Sequence, residues 1–112
     1  MKKTSALLVA AMLSLGLAGS ASAAMDDEAA KTILKRNDCT KCHAVDKTKK
    51  GPSYKKVAAK YKGKADGEEK AIKNMTEGKK VKLEDGTEED HKIIDTKDPA
   101  ELKGLAQWIL MR

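Results

Sequence analysis

The sequence has no phenylalanine, one tryptophan and two tyrosines among its 112 residues. Rings therefore cannot supply most of a core, and a chain this poor in large side chains needs another source of stability. Cysteine is as scarce. Cys39 and Cys42 are the only two, which excludes a scaffold of several disulfides. Histidine also occurs twice, as His43 and His91. Only one long apolar run exists, Ala6 to Ala18, and it is too short and too rich in alanine to span a bilayer comfortably.

That run has another meaning. Met1-Lys2-Lys3 precedes it and Gly19-Ser20-Ala21-Ser22-Ala23-Ala24 follows it. A basic start, a short apolar stretch and a small-residue site read as a secretory signal peptide. Residues 1–23 are expected to be removed by cleavage after Ala23 or Ala24. Residues 24–112 then form one exported domain in the bacterial periplasm, with no stable membrane insertion. Loss of Lys2 and Lys3 leaves 21 of the 23 basic residues against 17 acidic ones, a formal charge of +4. The charge is modest and the aromatics are not interleaved with it, so nucleic acid is not an expected partner. A mature chain of about 88 residues is near the lower limit for a self-sufficient core. A disulfide, a metal or a cofactor is expected to help hold it.

The spacing predicts a predominantly helical domain. Asp26-Asp27-Glu28 opens a first helix over about 27–37, with Ala30, Ile33 and Leu34 on one face. Lys47 to Pro52 reads as a loop. Tyr54, Val57, Ala58 and Tyr61 repeat at helical spacing over about 53–61, with Gly63 as the residue just past the end. A third helix fits Gly67 to Thr76, with Ala71, Ile72 and Met75 inward and Gly78 ending it. In the last helix Asp98 caps, Pro99 takes the first position, and Glu101 occupies the capping-box position. Leu102, Leu105, Ala106 and Ile109 form its apolar stripe, with Trp108 beside it. The 20 residues from Gly78 to Lys97 show no periodicity and read as a long polar loop, which usually has a task.

Cys39-Thr40-Lys41-Cys42-His43 carries the chemistry. C-x-x-C-H is the attachment signature of c-type haem. Two thiols three positions apart can add to the two vinyl groups of one porphyrin, and the adjacent imidazole then points at the iron. A thioredoxin-like dithiol would want a βαβ context, which a helical chain lacks. A zinc site from Cys39, Cys42, His43 and His91 would lack two well-spaced ligand pairs. A disulfide would close only a tiny loop.

Over nearly its whole mature length the chain resembles the small class I c-type cytochromes of the bacterial periplasm. Gly51-Pro52-Ser53-Tyr54 with Lys56-Val57-Ala58-Ala59-Lys60-Tyr61 is similar to the family's G-P-x-[YL]…V-A-x-[KR]-[YF] stretch. Ile72-Lys73-Asn74 resembles its I-x-[NK]-G turn, with Met75 in place of Gly. Leu105-Ala106-Gln107-Trp108-Ile109-Leu110 resembles its closing helix. The resemblance implies an all-α class I cytochrome c fold around one covalent haem c, with the N- and C-terminal helices packed together. It also implies that His43 is the proximal iron ligand and that the Pro52 carbonyl accepts its Nδ1 hydrogen. It implies an electron carrier rather than an enzyme.

The resemblance breaks at the sixth ligand. The family places a Met there, before the last helix, and this loop has none. His91 stands close to that place and is the expected distal ligand, with Ile93-Ile94 packing on the haem. An open or water-bound site remains an alternative, as does Met or one of Lys79, Lys80, Lys82 and Lys92. Two imidazoles would make a low-spin, low-potential shuttle. The alternative is a haem-based NO, CO or O₂ binding protein or sensor whose loop ligand leaves on reduction. Lys41, Lys47, Lys49, Lys50, Lys55 and Lys56 cluster around the haem motif and suggest periplasmic redox partners with acidic docking surfaces.

Overall fold

Helix α1 spans Asp27–Arg36, and its start is the one expected: Asp26 accepts from the Ala29 N–H at 2.8 Å. Acidic residues occupy its first turn and Lys35 and Arg36 its last, each complementing the helix dipole. The computed structural model describes residues 25–112, so the expected signal peptide, residues 1–23, lies outside the described residues. After α1, Asp38 takes a left-handed conformation (φ 59°), which aspartate tolerates better than most residues. The chain then turns sharply into a short 3₁₀ turn over Cys39–Lys41.

Helix α2 spans Tyr54–Tyr61 and is capped by Ser53, whose hydroxyl accepts from the Lys56 N–H. Gly63, at φ 74°, ends it as the sequence suggests. Helix α3 spans Gly67–Thr76, and Gly78 follows its end at φ 62°. Helix α4 spans Pro99–Leu110 with Asp98 accepting from the Ala100 N–H at 3.0 Å. The capping box does not form. The Asp98 N–H donates to Thr96 Oγ1 instead, and Glu101 turns toward Arg36, 3.7 Å away.

The stretch expected to be an aperiodic loop contains a small antiparallel hairpin. Strands β1 (Lys80–Lys82) and β2 (Glu88–Asp90) pair Lys80 with Asp90, Val81 with Glu89 and Lys82 with Glu88. Each strand is three residues long, too short for alternation to be readable. The turn between them is built by Asp85, whose carboxylate accepts from the Thr87 N–H, and by Gly86 at φ 87°. The lysines of one strand face the acids of the other, which favours this register. Helices remain the frame, as expected, with a two-stranded addition.

The core lies where α1 and α4 meet over α2 and α3. Ala30, Ile33 and Leu34 of α1 share one buried cluster with Leu105, Trp108 and Ile109 of α4. Trp108 is 1% exposed and meets the Tyr54 ring edge-on at 6.0 Å. Its Nε1–H donates to Asp27 at 2.7 Å, so the indole's polar atom is satisfied at the rim. Trp108→Ala is expected to destabilise the holoprotein by about 3–5 kcal/mol in denaturant melts. A loss below about 0.5 kcal/mol would be that of a surface residue.

The Trp108 N–H bond, with Arg112 and Lys31 nearby, holds the Asp27 carboxyl below the ordinary carboxylate range. A group depressed in the folded state stabilises above its unfolded pKa and loses that contribution as pH falls through the folded one. Asp27→Asn is therefore expected to be less stable than wild type at pH 7, with the gap closing below about pH 4. Melts at stepped pH test this; a gap constant into strong acid would remove the charge from the explanation.

Candidate haem site

The cysteine motif, α2, α3 and the hairpin enclose one cavity of about 510 Å³, within the roughly 300–1,000 Å³ of ligand and cofactor sites. Cys39, Cys42, His43, Pro52 and His91 all border it. Residues separated by up to 52 positions, as expected from the sequence, are thus brought to one place. Cys39 and Cys42 are free thiols, so no disulfide forms between them. Burial pushes the Cys39 thiol above its ordinary pKa.

His43 is fixed from behind. Its Nδ1 donates to the Pro52 carbonyl at 2.6 Å, which leaves Nε2 free toward the cavity. Gly51 makes this approach possible: a Cβ there would meet His43 Cε1 at 3.1 Å and the Cys42 carbonyl at 3.2 Å. The Gly51 N–H bonds that same Cys42 carbonyl at 2.8 Å, which closes the loop onto the motif. Burial lowers the basicity of His43; the Pro52 carbonyl opposes this, and His91 adds to it. Burial thus favours the neutral imidazole, the form with a lone pair to offer.

His91 comes from the residue after β2. Its backbone N–H donates to the Lys79 carbonyl at 2.9 Å, and its Nδ1 donates to the Lys92 carbonyl at 2.9 Å. Both imidazoles thus have Nδ1 tied to a backbone carbonyl and Nε2 free. Their ring centroids are 6.2 Å apart. An imidazole nitrogen sits about 2.0–2.1 Å from a bound first-row metal, so two rings sharing one metal ion have centroids roughly 6.3 Å apart. The segment that carries His91 is held at several points. Glu84 N–H bonds the Lys50 carbonyl, Ile94 N–H bonds the Met75 carbonyl, and Asp95 joins Asn37 and Arg36.

Other expectations fare differently. Ile94 is buried in the core cluster, but neither it nor Ile93 lines the cavity. Ile93 is 60% exposed and lies against Gly78, because neighbouring residues of an extended segment point to opposite sides. Of the four lysines considered as ligands, Lys82 and Lys92 border the cavity and Lys79 and Lys80 do not. Met75 is buried and borders it too, although it stands early in the chain. Among the described residues, no group of three His, Cys, Asp or Glu side chains is placed to hold a metal ion.

The wall suits a flat apolar cofactor. Leu34, Val57, Ala71, Met75 and Ile109 supply apolar surface. Tyr54 stacks on His43 at 5.2 Å, and its buried hydroxyl has no partner among the described residues. Burial, with Cys39 and Cys42 nearby, raises the Tyr54 phenol well above its ordinary pKa. An unpaired polar atom facing such a wall is costly unless a bound group or water satisfies it. No residue pattern announces this, nor the carbonyls of Lys79 and Lys92, since backbone acceptors have no residue signature.

A helical frame closing on a C-x-x-C-H cavity defines a class I c-type cytochrome. Residues 28–111 match the cytochrome c family, and the chain belongs to it, as a monohaem protein of the bacterial cytochrome c-551/c552 kind. It is 34% identical over 86 residues to cytochrome c-551 of Azotobacter vinelandii, covering 74% of this chain and 96% of that one. It is 32% identical over 78 residues to cytochrome c-551 of Pseudomonas denitrificans, covering 70% and 90%. Among solved structures it is similar to the class 1 cytochrome MtoD from Sideroxydans lithotrophicus ES-1, with TM-score 0.73 and 55% identity over 79% of this chain and 97% of that one. Nitrosomonas europaea cytochrome c552 matches with TM-score 0.57 and 30% identity, over 71% and 95%. Proteins of this family carry one covalently bound haem c. They are electron carriers that work with redox partners, not enzymes.

Proposed function

We propose that this protein is a periplasmic, low-potential one-electron carrier with two imidazole ligands to its iron. Cys39 and Cys42 hold the haem through thioethers, His43 is the proximal ligand oriented by Pro52, and His91 is the distal ligand. Two imidazoles with ring centroids 6.2 Å apart, each with Nδ1 on a backbone carbonyl, support this reading. Tying Nδ1 fixes the tautomer that leaves Nε2 to the metal. When bound, the haem supplies a one-electron ferric/ferrous couple. His91 in place of the usual thioether favours the ferric form and lowers the potential, since Met/His ligation raises it. With both faces taken, no position is left for a substrate.

Residues 1–23 serve as the cleaved export signal and residues 24–112 as the cytochrome domain. Whole-protein mass spectrometry should give the chain from Ala24 or Met25 plus one haem that survives denaturation. The ferric spectrum should be low-spin without the weak near-infrared band of Met–iron ligation. A haem that extracts freely into acid ketone would sink the thioether assignment, and the near-infrared band would sink His91.

The partner's docking surface is acidic. Residues 47–64 contain eight lysines and no acidic residue. Among the described residues, only Lys55 of these is in a salt bridge, with Asp46. This segment forms the loop behind His43 and the whole of α2, so the positive field lies beside the cofactor. Adsorption on a carboxylate-coated electrode should weaken as salt rises, and Lys47→Glu plus Lys50→Glu should weaken it already at low salt. Equal adsorption of wild type and variant would place the docking face elsewhere.

A further inference from the structure

We propose that Tyr61, held by Asn74, donates its phenolic hydrogen to a haem propionate, with Lys56 and Lys60 completing an anchor at that end of the cavity. The inference rests on the haem being attached at Cys39 and Cys42, and not on which residue is the sixth ligand. Vinyl and propionate groups occupy opposite edges of the porphyrin. Thioethers at Cys39 and Cys42 therefore send the propionates toward the wall away from the motif.

Away from Tyr54, which starts α2 at the cysteine end, α2 and α3 supply one wall of the cavity. Its polar members are Lys56, Lys60, Tyr61 and Asn74, all bordering the cavity. The Asn74 side-chain amide donates to the Tyr61 oxygen at 2.9 Å. The phenol is thus an acceptor in its only hydrogen bond among the described residues, and its own hydrogen remains to be given. Tyr61 is 8% exposed, so a donor left unused there is costly. Lys60 lies over the Tyr61 ring, 5.5 Å from its centroid, and neither Lys56 nor Lys60 forms a salt bridge among the described residues. No carboxylate of α2 or α3 borders the cavity; the acids that do are Asp38, Glu89 and Asp90, on the other walls. The α2 side therefore presents lysines with no acid beside them, whereas on the hairpin side Lys82 and Lys92 are offset by Glu89 and Asp90. Tyr54 is the competing donor, but it stacks on His43 and belongs to the cysteine end.

A hydrogen bond to a carboxylate favours its ionised form. An ionised propionate near the iron favours the ferric state, so the reduction potential falls as pH rises through the propionate pKa. Loss of the Tyr61 donor raises that pKa and moves the fall to higher pH. The test is the reduction potential of the purified haem-loaded protein followed against pH, for wild type, Tyr61→Phe and Asn74→Leu. Tyr61→Phe should move the inflection upward by about one pH unit, and Asn74→Leu should move it the same way by less. The carboxyl band in redox-difference infrared spectra should shift with the same pH dependence. Unchanged curves in both variants, at full haem content, overturn the proposal. So does a shift produced by Tyr54→Phe and not by Tyr61→Phe. A wild-type protein without covalent haem overturns the attachment reading as well, and the Soret absorption of the purified protein distinguishes the two failures.

Discussion

Ferrous His91→Ala protein is expected to bind carbon monoxide, whereas the wild type is not. In wild type the His91 ring lies 6.2 Å from that of His43, centroid to centroid, and its carrier segment is tied down on both sides of the residue. The Lys79 carbonyl holds the backbone of His91, the Met75 carbonyl holds Ile94, and Arg36 grips Asp95 with two bonds of 2.8 and 3.0 Å. If His91 is the distal ligand as proposed, these anchors are expected to keep it in place when the iron is reduced. Truncation at Cβ would remove the proposed ligand and leave the anchors, so the iron should gain a position open to a small molecule. His91→Met should instead raise the reduction potential, because a thioether favours ferrous iron more than an imidazole does. Met75 supplies a further diagnostic, since it is buried and borders the same cavity. A near-infrared Met band in His91→Ala would mean that Met75 fills the vacated position. A His91→Ala spectrum identical to wild type would remove His91 from the iron. Fast CO binding by the wild type would favour the ligand-sensing alternative.

Cys39→Ala combined with Cys42→Ala is expected to leave a largely unfolded, protease-sensitive chain. The core cluster of α1, α3 and α4 is small, and its inner face lines the 510 Å³ cavity rather than another layer of side chains. An unfilled apolar void costs roughly 24 cal/mol per Å³, which for this volume is on the order of 12 kcal/mol. That is an upper figure, because the open side of the cavity admits water. Even half of it is comparable with the whole stability of a typical domain, about 5–15 kcal/mol. Circular dichroism and limited proteolysis of the variant should show no cooperative thermal transition. A sharp transition in the haem-free protein would mean that the helices hold one another without the cofactor.

The elements that were legible in the sequence are those with a local cause. Asp26, Ser53 and Asp98 each cap a helix through their own side chains, and Gly63 and Gly78 end helices at positive φ. The Cys39 to His43 spacing and the Gly51-Pro52 pair are local as well, since Gly51, Cys42 and His43 meet within nine residues. Glu101 was misread because a capping box competes with other partners, and here Arg36 and Thr96 took the two groups involved. The hairpin escaped because three-residue strands carry no period and their pairing depends on charges across the turn.

The sequence by itself determined the helical frame, the haem attachment motif and the absence of a Met before the last helix. Each follows from residues near one another, where spacing is geometry. Only the tertiary structure decided that His91 comes within 6.2 Å of His43, that Ile94 turns into the core while Ile93 stays out, and that Tyr61 and Asn74 share a wall of the cavity. Those placements depend on hydrogen bonds to backbone carbonyls and on contacts between segments far apart in the chain. A carbonyl is the same at every residue, so where it meets a side chain is settled only when the chain has folded.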